Sequence, residues 1–221
     1  GWLAVSRASL FDDAYISFRY ARNVAEGNGL VWNLGERVEG YTNFLWTLGL
    51  GLGLRLTGIP ADVLGLWGCL AVLAANLLVV WRIGRVLAGP RHIPLAPLLL
   101  GAHAVFVSFG TTGMETGACS LAVNLTLWAL VSRDDSRGSF LAGAAAIAAT
   151  LLRPDHALFY VAGAAVVAWG ARADRRRFLV HTAAYSAPFL VYVAYMVWKL
   201  GYYGDLLPNT YYAKSANLSW F

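Results

Sequence analysis

A series of long apolar runs constrains the fold of this chain more than any other feature. The runs cover residues 44–59, 62–81, 94–110, 116–132, 139–152, 157–171 and 178–200. A helix needs about 20 apolar residues to cross the hydrocarbon core of a bilayer, and the second and last runs reach that length. Hydrophobic residues make up 58% of the chain and charged residues 13%, whereas soluble domains average about 45–50% and 25%. We therefore predict an all-α fold, a polytopic membrane helix bundle.

The basic residues occupy short connectors between the apolar runs. They include Arg82, Arg85, Arg91 and His92, then Arg133 and Arg137, and then Arg172, Arg175, Arg176 and Arg177. Such loops are typical of the cytoplasmic side of a membrane protein. Topology thus accounts for the net charge of +5. We expect a lipid bilayer as a partner and no nucleic acid.

This charge pattern also orients the chain. With residues 172–177 inside, the last run ends outside, and residues 111–115 and 153–156 lie outside with it. If all the earlier runs crossed, residues 6–43 would lie on the opposite face. We expect residues 6–43 to share the face of the other polar clusters. One of the first three apolar runs therefore does not cross fully, and the sequence leaves open which one.

The polar segments divide the chain into three regions. Residues 1–43 form a first extracytoplasmic loop with an interfacial helix and a candidate catalytic motif. Residues 44–200 form the bundle of about six or seven apolar segments, and residues 201–221 begin a later extracytoplasmic loop. Because both ends of the chain are polar and carry no terminal signal, we expect it to be a fragment of a longer protein.

The first polar region opens with the run FDDAYISFRYARN, which begins at Phe11. Aromatic and charged side chains are interspersed there at helical spacing, so we predict an amphipathic helix in the membrane interface. Asp12 and Asp13 stand at its start. They can cap the helix and complement its dipole. They can also bind a divalent cation or accept a proton, and the residues alone leave both readings open.

The predicted helix ends at a loop that contains Gly27 and Gly29. Residues 33–35 predict a turn, and residues 30–32 predict an extended piece or a short strand. The loop leads directly into the first apolar run, with Thr42 or Asn43 as the expected N-cap. This stretch alone is typical of an ordinary loop and cap.

Two short polar motifs, TTGMET and RPDH, separate later apolar runs. Glu115 is costly in contact with lipid, so it either faces a water-filled cleft or satisfies backbone N–H groups at a helix start. Arg153 can pair with Asp155 or Glu115, or it can bind a phosphate with its planar fork. Pro154 is expected to open the following helix.

The last polar cluster is YYGDLLPNTYYAK. Its tyrosines are typical of a membrane interface, while Asn209 and Lys214 are candidates for contacts with sugar or phosphate. The sequence contains no GxxxxGK[ST], GxGxxG or HExxH motif. An enzyme built on this chain would therefore need an activated substrate other than a soluble nucleotide bound in one of those ways.

The run FDDAYISFRYARNVAEGNGLVWNLGERVEGYTNFLW resembles the first periplasmic loop of GT-C-type, polyprenyl-phosphate-sugar-dependent glycosyltransferases. Within that group it is most similar to the actinobacterial terminal arabinofuranosyltransferases, and the later motifs follow in the order of that family. The resemblance spans Phe11 to Lys214. It implies a GT-C-like bundle that transfers a sugar, such as the pentofuranose arabinose, from polyprenyl phosphate to a cell-envelope glycan acceptor. The reaction would take place on the extracytoplasmic face of the plasma membrane, in cell-wall biogenesis.

The same resemblance implies roles for single residues. Asp12 and Asp13 are expected to be catalytic, and Asp13 is also expected to bind a divalent cation such as Mg²⁺ or Mn²⁺. The residues expected to contact the substrates are Arg19, Arg22, Glu39, Tyr41, Asn43, Glu115, Arg153, Asp155, Asn209 and Lys214.

Two other classes of protein compete with a transferase. A transporter or flippase of lipid-linked sugars also needs several helices and intramembrane polar residues. It would be expected to show inverted repeats, which this sequence lacks. A noncatalytic scaffold leaves the gathering of polar motifs on one face unexplained. Covalent product made from a lipid-phosphate sugar distinguishes the transferase from both.

Overall fold

The computed structural model describes residues 10–89 and 93–216, with side chains up to residue 212. Every regular element in these ranges is helical, as predicted, and residues 30–32 form no strand. Two 3₁₀ turns cover Phe109–Thr111 and Pro154–His156. The helices are α1 (Asp12–Ala25), α2 (Phe44–Thr57), α3 (Ala61–Ala88), α4 (Leu95–Ala102), α5 (Ala104–Ser108), α6 (Thr116–Ser132), α7 (Ser136–Leu152), α8 (Ala157–Ala171), α9 (Arg175–Ser186), α10 (Phe189–Tyr203) and α11 (Asn209–Ala216).

Helix α3 and the pair α9–α10 have the length and composition of membrane spans. Helix α3 has 28 residues and a mean hydropathy of 2.3, and the stretch Arg175–Tyr203 has 29 residues and a mean hydropathy of 1.3. A third candidate is bent by 116° between Ala104–Thr111 and Thr116–Ser132. The described part of the chain thus contains two helices able to cross a membrane, or three if the bent pair is one span. How many of the predicted apolar segments cross stays a prediction.

The helices run back and forth between a polar end and a basic end. Glu115 precedes α6 and lies 3.7 Å from Arg153, which follows α7, so the two polar motifs meet at one end. At the other end Arg177 pairs with Asp134, which joins the α8–α9 connector to the α6–α7 connector. The polar motifs and these basic connectors therefore lie at opposite ends of the bundle, as the charge pattern predicts.

Helix α2 is the early apolar run that stays at the polar end. Near its start the Trp46 ring packs over Gly68 of α3, and near its end Gly53 packs against Leu64. Helix α2 therefore runs antiparallel to the first two turns of α3 and ends where α3 begins. The sequence left open which early run does not cross, and this stays open, although the 14 residues of α2 are fewer than a span needs.

Helix α1 packs one face on α2 and α3, as its amphipathic pattern predicts. Ala14, Phe18 and Ala21 are buried together with Leu50 of α2 and Ala61 of α3. The opposite face, which carries most of the charged side chains, is exposed. Burial of these apolar side chains fixes the direction in which the polar side chains of α1 point.

The predicted carboxylate cap at the start of α1 is wrong. Phe11 occupies the N-cap position, and no side-chain hydrogen bond caps the helix. Asp12 and Asp13 lie in the first turn instead, where negative charge complements the helix dipole. Both are exposed. Helix capping therefore does not account for this pair of carboxylates.

Candidate active site

A buried polar network joins three sequence motifs at the polar end. The Asn43 carboxamide donates hydrogen bonds to a Glu115 carboxylate oxygen at 2.8 Å and to the Ser17 hydroxyl at 2.9 Å. Its oxygen accepts a hydrogen bond from the Thr47 hydroxyl at 2.8 Å. Asn43 does occupy the N-cap position of α2, as predicted, but its side chain makes no capping bond. Its side chain instead links α1 and α2 to the segment before α6.

Glu115 lies inside this network rather than in an open cleft. It is 3% exposed, and its two carboxylate oxygens face Asn43 and Arg153. A buried carboxylate needs such partners because its desolvation is costly. The Glu115 carboxylate therefore holds the TTGMET and RPDH motifs together. Its contact with a substrate stays a prediction.

Arg153 extends the network toward the solvent. Its guanidinium lies 3.7 Å from Glu115 and 3.3 Å from Asp155, so both pairings suggested by the sequence form. Its side chain is 42% exposed, which leaves part of the guanidinium open to a ligand. Partial burial raises the pKa of Asp155, but hydrogen bonds from His156 and Arg153 and the charge of Arg153 outweigh it and hold that pKa below its ordinary value.

The two aspartates of α1 face different surroundings. The Phe11 backbone N–H donates to the Thr112 carbonyl oxygen at 3.2 Å, which fixes the start of α1 beside the TTGMET segment. Asp13 lies four residues before Ser17, so it occupies the same side of the helix as the buried network. Asp12 lies two helical turns before the exposed Arg19, so it faces the exposed side. Helical geometry thus separates two carboxylates that the sequence treats as equivalent.

The described residues do not form a complete metal site at Asp13. Within residues 10–89 and 93–216, no group of three or more His, Cys, Asp and Glu side chains comes together in a way that could hold a metal ion. Asp12 and Asp13 alone offer adjacent carboxylates, and a hard divalent cation prefers more oxygen ligands than this pair supplies. The divalent cation expected at Asp13 therefore stays a prediction.

A groove of about 700 Å³ runs along one flank of α1. We call it the arginine groove because Arg19, Arg22 and Arg55 line it. Two acids, Glu26 and Asp62, also line it, and the other lining residues are mainly apolar, such as Phe18 and Leu54. Basic groups beside apolar walls suit the junction between a phosphate group and a hydrocarbon chain.

The two predicted arginines of α1 are anchored within this groove. Arg19 donates to the Trp32 carbonyl oxygen at 2.9 Å, and its guanidinium lies 4.8 Å from the centre of the Trp32 ring. Arg22 pairs with Glu26 at 2.8 Å. Both side chains are exposed, so each keeps N–H groups available for an anion.

A second buried network ties the first loop to α10. The Lys199 ammonium lies 2.7 Å from a Glu39 carboxylate oxygen, and the Tyr195 hydroxyl donates to the other oxygen at 3.3 Å. Tyr41 contacts Tyr203 through hydroxyl oxygens 3.1 Å apart. Burial raises the pKa of Glu39, and the hydrogen bond and charge of Lys199 act against this rise. Glu39 and Tyr41 thus anchor the loop, and their predicted substrate contacts stay a prediction.

Lys199 is a residue of these networks that the sequence did not predict. It lies inside the run MVWKLGYY, which reads as the end of an apolar helix. A lone ammonium in such a run is costly unless it has a partner, and that cost was the available signal. The identity of the partner, 160 residues earlier in the chain, depends on the tertiary fold.

The last predicted pair of residues is only partly described. The Asn209 backbone N–H donates to the Glu39 carbonyl oxygen at 2.9 Å, so the start of α11 lies beside the first loop. The side chain of Lys214 lies outside the described part of the structure. The structure therefore brings the predicted site residues up to Asn209 to one end of the bundle, most of them in two networks and a groove. Asp12 and Asp13 stand exposed beside them in the first turn of α1.

The fold and this site define a helical membrane protein with an acid- and arginine-lined centre at one end of its bundle. No protein-family profile and no solved structure matches the chain. Two characterised proteins do, each across 98% of the chain: a terminal β-(1→2)-arabinofuranosyltransferase of Mycobacterium tuberculosis at 33% identity and one of Corynebacterium glutamicum at 28% identity. The chain is therefore a relative of the terminal arabinofuranosyltransferase family over nearly its whole length. It spans about a third of the length of these two relatives, 36% and 34%.

Proposed function

We propose that this chain forms the catalytic end of a membrane glycosyltransferase. The enzyme transfers a pentofuranose such as arabinose from a polyprenyl-phosphate donor to a cell-envelope glycan acceptor, on the extracytoplasmic face of the plasma membrane. The observation that carries this proposal is the position of Asp13, one helical turn before the buried Ser17–Asn43–Glu115 network. That network gathers three separate motifs around an exposed carboxylate, which is an arrangement suited to catalysis.

The carboxylates of α1 act on the acceptor and on the transferred sugar. In the transfer, the acceptor oxygen forms a bond to the anomeric carbon of the sugar, and the bond from that carbon to the phosphate oxygen breaks. Asp13 accepts the proton of the acceptor hydroxyl. Asp12, one residue earlier, stabilises the positive charge that develops on the sugar ring. The bonding electron pair leaves with the lipid phosphate, so the donor itself supplies the activation that a nucleotide would otherwise provide.

The arginine groove receives the departing phosphate. Arg19 and Arg22 line it together, and the charge that develops on the phosphate is stabilised by their guanidinium groups. Electrostatic stabilisation of this kind usually lowers the activation barrier of an enzymatic reaction more than any other single effect. The apolar lining of the groove suits the first isoprenoid units of the donor. Glu115 takes a positioning role, because it is 3% exposed and holds Asn43 and Arg153 in place.

The test is transfer by the full-length protein from a polyprenyl-phosphate arabinofuranose to an arabinofuranosyl oligosaccharide. Asp13→Asn is expected to lower kcat by about 10²–10⁴-fold, because general-base catalysis contributes that much. Asp12→Asn is expected to lower kcat by about 10²–10³-fold, because it removes one electrostatic stabiliser of the transition state. The matched control is Asp205→Asn, which removes an exposed acid at the polar end. Adding or chelating Mg²⁺ in the same assay tests the cation predicted at Asp13.

Two outcomes would overturn this assignment. If Asp12→Asn and Asp13→Asn both kept near-native transfer, the centre would lie elsewhere. If folded protein bound the donor but formed no product with several lipid-phosphate sugars, a transporter of lipid-linked sugars would fit better, and donor movement across a vesicle membrane would then be the measurement.

A further inference from the structure

A second pocket lies on the other flank of α1, away from the arginine groove. It has a volume of about 420 Å³, which is within the range of about 300–1,000 Å³ typical of small-molecule sites. We call it the loop pocket because most of its lining comes from the first loop. Its lining residues are Ile16, Tyr20, Trp32, Glu36, Val38, Gly40 and Asn209.

Hydrogen bonds fix the walls of the loop pocket. The Tyr20 hydroxyl donates to the Val38 carbonyl oxygen at 2.7 Å and accepts from the Gly40 N–H at 2.9 Å. The Trp32 carbonyl oxygen accepts the bond from Arg19, and the Asn209 N–H donates to the loop backbone at 2.9 Å. A pocket with such walls is largely formed before a ligand arrives, which lowers the entropy cost of binding.

The polar groups that line the pocket are left available. Within the described part of the chain, the Trp32 indole N–H and the Asn209 carboxamide have no hydrogen-bond partner, and Glu36 accepts one side-chain bond, from Asn33 at 3.2 Å. Trp32 is 38% exposed. These groups offer one N–H donor, one amide that donates and accepts, and one carboxylate that accepts.

This combination fits a sugar ring better than a phosphate. A sugar presents hydroxyl groups that donate and accept, together with C–H faces that pack on apolar surface, here Ile16 and Val38. The described lining contains no Arg or Lys, and the Glu36 carboxylate repels an anion. The arginine groove instead carries three arginines against two acids, so its net charge is positive. Charge therefore sorts the two sites on α1: the phosphate belongs to the groove and a neutral sugar to the loop pocket.

The loop pocket also lies in line with the catalytic carboxylate. Ile16 is three residues after Asp13 and Tyr20 is seven, so all three occupy one side of α1. Seven residues of helix rise about 10 Å, roughly the length of one or two sugar units. Resting on the function proposed above, we propose that the loop pocket binds a sugar unit of the acceptor glycan, with Trp32, Glu36 and Asn209 as its recognition residues.

The experiment measures binding of a soluble arabinofuranosyl oligosaccharide to the full-length protein in the absence of donor, so that it does not depend on turnover. Glu36→Gln and Asn209→Ala are each expected to weaken binding about tenfold, because each removes a hydrogen-bonding group from a desolvated contact. Val38→Trp, which fills the pocket without removing a polar group, is expected to abolish binding. Asp205→Asn is the matched control and is expected to bind like the unaltered protein.

Transfer kinetics on the same variants separate this inference from the proposed function. Glu36→Gln is expected to raise the KM for the acceptor about tenfold, while the KM for the donor and the kcat stay unchanged. Transfer that proceeds with unchanged acceptor KM in Glu36→Gln and Val38→Trp would overturn the loop pocket and leave the proposed function intact. Oligosaccharide binding that requires Glu36 in a protein without transfer activity would overturn the proposed function and keep the pocket. Absence of oligosaccharide binding would overturn the pocket in either case.

Discussion

The Lys199 ammonium and the Glu39 carboxylate lie 2.7 Å apart, and both residues are 5% exposed. Glu39 belongs to the first loop and Lys199 to the last long helix, so this ion pair closes the polar end of the bundle across most of the sequence. The same loop carries the walls of the loop pocket and follows the helix of Asp12 and Asp13. This ion pair therefore holds the first loop, and with it the walls of the loop pocket, against α10.

Replacement of Lys199 by Met is expected to lower the free energy of unfolding by about 3–5 kcal/mol, because it leaves a buried carboxylate without its partner. The double variant Lys199→Met/Glu39→Gln is expected to recover most of this loss, since a neutral amide still accepts the bond from Tyr195. Denaturant unfolding in a fixed detergent measures both. A single variant within about 1 kcal/mol of the unaltered protein would contradict the importance of the pair.

Substitution of Asn43 tests the buried Ser17–Asn43–Glu115 network. Asn43→Asp places a second carboxylate against Glu115, where the present contact is a 2.8 Å hydrogen bond. Two carboxylates this close share a proton, so one of them acquires a raised pKa. The free energy of unfolding of the variant is then close to that of the unaltered protein only at low pH. It falls as the pH rises through the raised pKa, because the folded state must then hold two adjacent negative charges.

The measurement is the free energy of unfolding of Asn43→Asp as a function of pH, with Asn43→Gln as the uncharged comparison. Asn43→Gln is expected to lose about 1–3 kcal/mol at every pH, because its longer side chain cannot keep all the bonds to Glu115 and Ser17. Parallel pH profiles for the two variants would show that the carboxylates do not meet, and would refute the network.

The charge of Asp155 predicts a second dependence on pH, of opposite sign. Its pKa in the folded protein lies below the ordinary value of 3.8, so the unfolded chain binds the proton more readily. The stabilisation from Asp155 is therefore present above pH 3.8 and is lost as the pH falls through the folded-state pKa. It is expected to be small because the side chain is 62% exposed and solvent screens its pairing with Arg153.

Asp155→Asn isolates this contribution. The difference in unfolding free energy between the unaltered protein and the variant is expected to shrink as the pH falls from about 5 through 3.8 toward the lower, folded-state pKa. The comparison of the two proteins under identical conditions removes the contributions of other acids. A difference that remains constant over this interval would contradict the assigned pairing with His156 and Arg153.

The sequence predicted the parts of this structure that depend on local patterns. The apolar runs 116–132 and 157–171 coincide with α6 and α8, because each is bounded by polar residues or a proline that end a helix. The resemblance to terminal arabinofuranosyltransferases was also found from the sequence, since its motifs are local strings, and the two relatives confirm that resemblance. The separation of polar and basic ends follows from charge.

Non-local packing decided what the sequence left open. Helix α2 has the composition of a short membrane segment, and only the packing of its Leu50 on Phe18 and of its Gly51 on Val24 shows that it lies beside α1. Asn43 was expected to cap a helix, but tertiary partners 26 and 72 residues away take its side chain. Such choices depend on which groups approach one another in space, and no window of neighbouring residues contains that information.

The contact between α7 and α9 gives a prediction that is independent of function. Gly143 lies against the Tyr185 backbone, and a Cβ there would overlap the Tyr185 carbonyl oxygen. Tyr185 is 1% exposed, and its hydroxyl donates to the Tyr160 carbonyl oxygen at 2.9 Å, so it has little room to move. Gly143→Ala is therefore expected to cost about 1–3 kcal/mol of unfolding free energy through overpacking.

Gly170→Ala is the matched control, because a Cβ at that helical position meets open space. It is expected to be neutral or to stabilise by up to about 1 kcal/mol, the difference in helix propensity. Denaturant unfolding of both variants measures the contrast, and equal stabilities would contradict the close approach of the two helices.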